Sequence, residues 1–75
     1  MGGNAADRTI TVTVNGERRD VERGSTLGTL LRDLSIESSR LAIERNREIL
    51  DPTRFDATVL EAEDSIEIVQ FVGGG

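Results

Sequence analysis

The residues of this 75-residue chain best suited to chemistry are its last three, Gly73, Gly74 and Gly75, which follow directly on an apolar run ending in Phe71 and Val72. Glycine continues a strand poorly and buries no side chain, so three in succession make a thin, flexible tail that projects from whatever precedes it. Such a tail can thread a narrow tunnel in another enzyme. A terminal α-carboxylate with no neighbouring Cβ is unhindered when it attacks ATP, and equally so when it is itself attacked as an acyl-adenylate. The same glycines also read as a frayed terminus without chemistry. The tail taken alone leaves both readings open.

Composition removes most other chemistries. Cysteine and histidine are both absent, which excludes disulfides, thiolate or imidazole metal ligands and every nucleophile or base built on those side chains, so no metal site is expected. Fourteen acidic residues against nine basic ones leave a net charge of −5, and all nine bases are arginines scattered among acids from Arg8 to Arg54. No basic patch results, so nucleic acid is not an expected partner. An acidic surface suits solubility and a basic docking partner. No stretch approaches the roughly 18 apolar residues of a membrane span, and Met1–Asp7 holds no apolar signal region. A cytoplasmic protein with no membrane partner is expected.

The elements that must position the tail read as follows. Residues 1–8 are small and polar, a disordered lead-in. Thr9 to Val14 alternates strictly, placing Ile10, Val12 and Val14 on one face and three threonines on the other, as a half-buried strand does. Asn15-Gly16 tolerates the positive φ angles of a type I′ turn, so Glu17 to Glu22 should return antiparallel, with Val21 its one clear inward residue and a place near the sheet edge. After Gly24, Ser25 or Thr26 can cap a helix. Leu27, Leu30, Leu31 and Leu34 then form one apolar helical face, and the helix is expected to end between Leu34 and Ser38. Arg40 to Arg45 is a second alternating strand with Leu41 and Ile43 inward, turning at Asn46-Arg47 into Glu48–Leu50.

Asp51-Pro52 breaks that pattern, Pro52–Phe55 suits a single 3₁₀ turn, and Phe55, Val59 and Leu60 are expected to return to the core. Ser65 to Val72 is the last strand. Ile66 and Ile68 alternate cleanly, whereas Val69, Phe71 and Val72 place apolar groups on both faces. Either this is a central strand covered on both sides or part of it is an exposed patch that meets a partner. By the period-2 rule at least one of Val69, Phe71 and Val72 faces outward, which makes these three the candidate partner-binding residues. A hairpin, one crossing helix and a final strand carried into the middle of the sheet give an α+β roll, with a mixed sheet of four to five strands and one main helix on one face. The expected division is a domain over residues 9–72 and a glycine tail over 73–75. A core of this size contributes only ~3–5 kcal/mol net.

Several segments together resemble the ThiS family of thiamine-biosynthesis sulfur carriers: Val14-Asn15-Gly16-Glu17, Leu41 to Asn46, Ile49-Leu50, and above all the unbroken run from Asp64 to Gly75. The resemblance runs from Ile10 to Gly75 and implies the β-grasp fold of ubiquitin. It departs from the family's usual pattern at Asn46-Arg47, at Asp51-Pro52, at Phe55 and at Ala62-Glu63-Asp64. It implies that a ThiF-type adenylyltransferase uses Mg-ATP to activate the Gly75 carboxylate, that a sulfurtransferase or cysteine desulfurase supplies persulfide sulfur, and that the resulting thiocarboxylate serves thiazole synthase ThiG. On this view the chain is not an enzyme and binds no cofactor itself. A molybdopterin-synthase small subunit or a ubiquitin-like modifier would share the fold and the tail, and a β-grasp interaction module would use neither Gly73 nor its successors.

Overall fold

The computed structural model describes residues 8–37 and 40–71. Its elements are β1 (Thr9–Val14), β2 (Glu17–Glu22), α1 (Leu27–Asp33), β3 (Leu41–Arg45), β4 (Glu48–Ile49), a 3₁₀ helix (Pro52–Ala57) and β5 (Ser65–Gln70). The five strands form one mixed sheet in the order β2-β1-β5-β3-β4. β1 and β2 pair antiparallel through the Asn15-Gly16 turn, where φ is +50° and +87° as a type I′ turn requires. The ladder continues one step further, with the Arg23 N–H donating to the Arg8 carbonyl. β5 lies in the middle, parallel to β1 and antiparallel to β3. Bringing the last strand beside the first requires a crossover, and α1 and the 3₁₀ helix make it. This is the α+β roll that the element order implied, in the β-grasp arrangement that the resemblance implied.

The alternating residues of β1 point Ile10, Val12 and Val14 onto the face that α1 covers, where Ile43 of β3 and Ile66 and Ile68 of β5 meet Leu27, Leu30 and Leu31 of the helix. Val12, Leu27, Ile43 and Ile66 are fully buried. Each contributes about 1.5–3 kcal/mol of apolar burial. Of the two candidate caps, Thr26 is the one used: its hydroxyl accepts from the Thr29 N–H at 3.1 Å. The helix stops at Asp33, slightly before the expected range, because Ser35 adopts φ +59° and Leu34 becomes the half-buried cap.

The 3₁₀ helix runs through Ala57, two residues past the expected single turn, and Asp51 caps it through the Thr53 N–H at 2.9 Å. Phe55 and Leu60 reach the core as expected. Val59 does not, being 49% exposed. It pairs with Thr26 in an isolated antiparallel bridge, flanked by hydrogen bonds from Leu27 N–H to the Thr58 carbonyl and from Leu60 N–H to the Ser25 carbonyl. Extended alternation there sends Leu60 inward and its neighbour Val59 out.

Asp64 is the one buried charged residue among those described. Its carboxylate accepts from Arg45 Nε at 2.9 Å, Asn46 Nδ2 at 3.0 Å and the Glu61 N–H at 2.8 Å. Burial alone would raise its pKa. The Glu61 N–H, the Asn46 amide and the Arg45 guanidinium together outweigh that and hold it below the ordinary aspartate value. Because the folded pKa is depressed, the stabilisation is fully present above the unfolded carboxylate's pKa and is lost as the pH falls through the folded value. Asp64→Asn keeps the shape but removes the charge, and we expect it to cost about 1–3 kcal/mol at neutral pH. Urea titrations from pH 7 down to pH 2 should show the gap between the parent chain and this variant closing at acid pH.

Candidate functional site

β5 is held on both edges, and the two hairpin turns supply much of the grip. On the β3 side the ladder pairs Glu44 with Glu67 and Ala42 with Val69, and it extends at either end through the Asn46 N–H to the Ser65 carbonyl and the Phe71 N–H to the Arg40 carbonyl. Asn46, at φ +52°, also turns its side-chain oxygen onto the Ser65 N–H at 2.9 Å while its NH₂ reaches Asp64. The Asn46-Arg47 turn thus forms with both residues at positive φ despite lacking glycine. Asn46's three bonds across to β5 and the loop before it offset the strain at Arg47.

On the β1 side the regular ladder ends with the Asn15 N–H donating to the Ile66 carbonyl at 2.9 Å. The Asn15 side chain then does what a further strand residue would do. Its Oδ1 accepts from the Ile68 N–H at 2.7 Å and its Nδ2 donates to the Ile68 carbonyl at 3.2 Å. The asparagine chosen by the turn for its positive φ is therefore also a clamp on the strand that leads to the tail. Composition and periodicity pointed to its turn role only; the clamp spans 53 residues of sequence, and no local signal marks such a pair.

Among the candidate partner-binding residues, Val69 is 53% and Phe71 is 56% exposed, while Ile66 and Ile68 are buried. Both candidates stand on the sheet face opposite α1, since Ser65, Glu67 and Val69 alternate with the buried pair. Among the described residues β5 is thus central in the sheet yet covered on one face only. Ala42 faces the same way beside Val69, and Ile49, paired with Glu44, adds a further exposed apolar side chain at the β4 edge. Val72, Gly73, Gly74 and Gly75 lie outside the described residues. So do residues 1–7 of the expected lead-in. Among the described residues no three acidic groups converge as a metal site would require, and no helix is long and apolar enough to cross a membrane.

Comparison with known proteins adds a lineage to this geometry. Residues 12–75 match the model of the ThiS family. The chain is 39% identical over 64 residues to a thiazole synthase of Magnetococcus marinus, covering 85% of this chain but only 20% of that protein's length. It is 42% identical over 50 residues to the sulfur carrier protein ThiS of Bacillus subtilis, covering 67% of this chain and 76% of that one. The crystal structure of the thiamine biosynthesis protein ThiS from Geobacter metallireducens superposes with a TM-score of 0.74 at 32% identity, covering 88% of this chain and all of that one.

Two substitutions separate the exposed apolar face from the Asn15 clamp. Phe71→Asp removes no core packing, so its melting temperature should stay within a few degrees of the parent while binding to an activating partner weakens. A comparable loss of stability in the free protein would instead assign Phe71 to the core. Asn15→Gly keeps the turn but removes both side-chain bonds to Ile68. It should cost about 1–2 kcal/mol, and amide exchange at Ile68 should accelerate more than at Ile66.

Proposed function

This chain belongs to the ThiS family, and from that premise we propose that it is the sulfur carrier of thiazole formation in thiamine biosynthesis, working through the carboxylate of Gly75. The observation that carries this reading is the run from Asp64 to Gly75. It joins a strand pinned at the centre of the sheet to three glycines, within a family match that extends through the last residue. The kinship with a thiazole synthase and with a sulfur carrier protein supports the same assignment.

The chemistry follows from what a carboxylate lacks. Its oxygen is a very poor leaving group, so sulfur cannot replace it directly. A ThiF-type adenylyltransferase supplies Mg-ATP: a Gly75 carboxylate oxygen attacks the α-phosphorus, pyrophosphate departs and an acyl-adenylate forms. A persulfide on a sulfurtransferase or cysteine desulfurase then attacks the acyl carbon through its terminal sulfur, and AMP leaves. A thiol next attacks the donor sulfur of the acyl disulfide, making a disulfide on the donor side and releasing the thiocarboxylate. Thiazole synthase ThiG takes that sulfur into its substrate, an oxygen from the substrate or from water replaces it on the acyl carbon, and the carboxylate returns. The chain contributes the reactive end and the docking face of Val69 and Phe71, with Val72 the next partner-binding residue along the sequence. Gly73 and Gly74 supply a tail narrow enough for a tunnel, and the catalytic groups and cofactor belong to the partners. This division suits a chain with no Cys, His or Tyr.

Intact-mass spectrometry of protein made together with these partners should show a fraction heavier by the difference between sulfur and oxygen. Deleting Gly74 and Gly75 should abolish that fraction and leave thermal unfolding unchanged, because no core residue is lost. Thiazole formation sustained by the truncated chain would sink the carrier reading.

A further inference from the structure

Strand β5 runs past the end of its parallel neighbour. β1 ends at Val14, opposite Ile66, and Asn15's side chain extends the pairing as far as Ile68. The hydrogen bonds alternate along β5. Odd residues Ser65 and Phe71 bond toward β3, whereas Asp64, Ile66 and Ile68 bond toward β1. Gln70 is next in the second series. Its pairing with Leu41 falls on the step of the antiparallel ladder that exchanges no bonds, so its N–H and C=O point to the β1 side, where they meet no partner among the described residues. The sheet's two nominal edges are blunted: β2 carries Glu17, Arg18, Arg19, Asp20 and Glu22, and β4 is two residues long. The overhang has no such protection, and exposed Val69 and Phe71 flank its open backbone pair on one face.

We propose that this overhang, centred on the N–H and C=O of Gln70, is a strand-addition site that receives an extended segment of the adenylating partner. That segment would seat the backbone pair with its main chain and Val69 and Phe71 with apolar side chains. The inference rests on the carrier reading. Gly75 lies four residues beyond Phe71, a span of at most about 14 Å when fully extended. A partner that takes Gly75 into its centre must therefore approach within that distance of this edge. An added strand also fixes the direction in which β5 points toward the partner.

Backbone amide exchange by NMR tests this with the full chain, alone and with a purified ThiF-type adenylyltransferase. In the free protein the Gln70 amide should exchange quickly while those of Ile68 and Phe71 are protected, and in the complex it should slow by about tenfold or more, the scale of one or two net hydrogen bonds. Gln70→Pro removes the donor without touching a bond of the β3 ladder. It should fold with little change in melting temperature and bind about tenfold more weakly. Should Gln70→Pro fail to fold, exchange in the unaltered chain decides. A Gln70 amide already protected in the free protein overturns the inference. So does one that stays fast while the complex forms and chain-dependent ATP–pyrophosphate exchange proceeds, and in that case the carrier reading stands. Absence of any chain-dependent ATP–pyrophosphate exchange removes the carrier reading and the inference with it.

Discussion

The structure depends on one act of pairing, the insertion of β5 between β1 and β3. A strand placed there must match two ladders of opposite sense at once, and its inward residues Ile66 and Ile68 must meet α1 in the same register. A slip of one residue would turn both isoleucines to solvent and Glu67 and Val69 into the core. That penalty fixes which side chains the outer face presents and where the chain leaves the sheet toward its last residues.

Side chains enforce the register where the backbone runs out of partners. Asn15 and Asn46 each occupy the first left-handed position of a hairpin turn, one on either side of β5, and each spends its amide on that strand. Asp64 completes the arrangement from within. Its carboxylate gathers Arg45, Asn46 and the Glu61 N–H, while its carbonyl accepts from the Thr13 N–H at 2.9 Å. A buried carboxylate left alone would cost several kcal/mol. Here its lone pairs are met, and the start of β5 is tied to both neighbouring strands.

The two faces of the sheet divide the work. The covered face, with the helix and Phe55, holds the buried apolar core of the described residues. The opposite face carries little of the folding energy, so Val69 and Phe71 stand exposed at little cost to the domain.

The chain's own residues already determined a good deal. Period-2 runs marked β1, β3 and β5, Asn15-Gly16 marked a hairpin, and the leucine spacing marked α1. These are local signals, carried by neighbours within a few residues, and pleat and helix geometry read them directly. The tertiary structure decided what locality cannot. It chose Thr26 over Ser25 as the cap, turned Val59 outward through its bridge to Thr26, buried Asp64, and put Val69 and Phe71 together on the open face. It also gave Asn15 a second task on Ile68, far along the chain. Each of these outcomes depends on which distant segment lies alongside, and that is set by the joint packing of the whole core rather than by the periodicity of any one stretch.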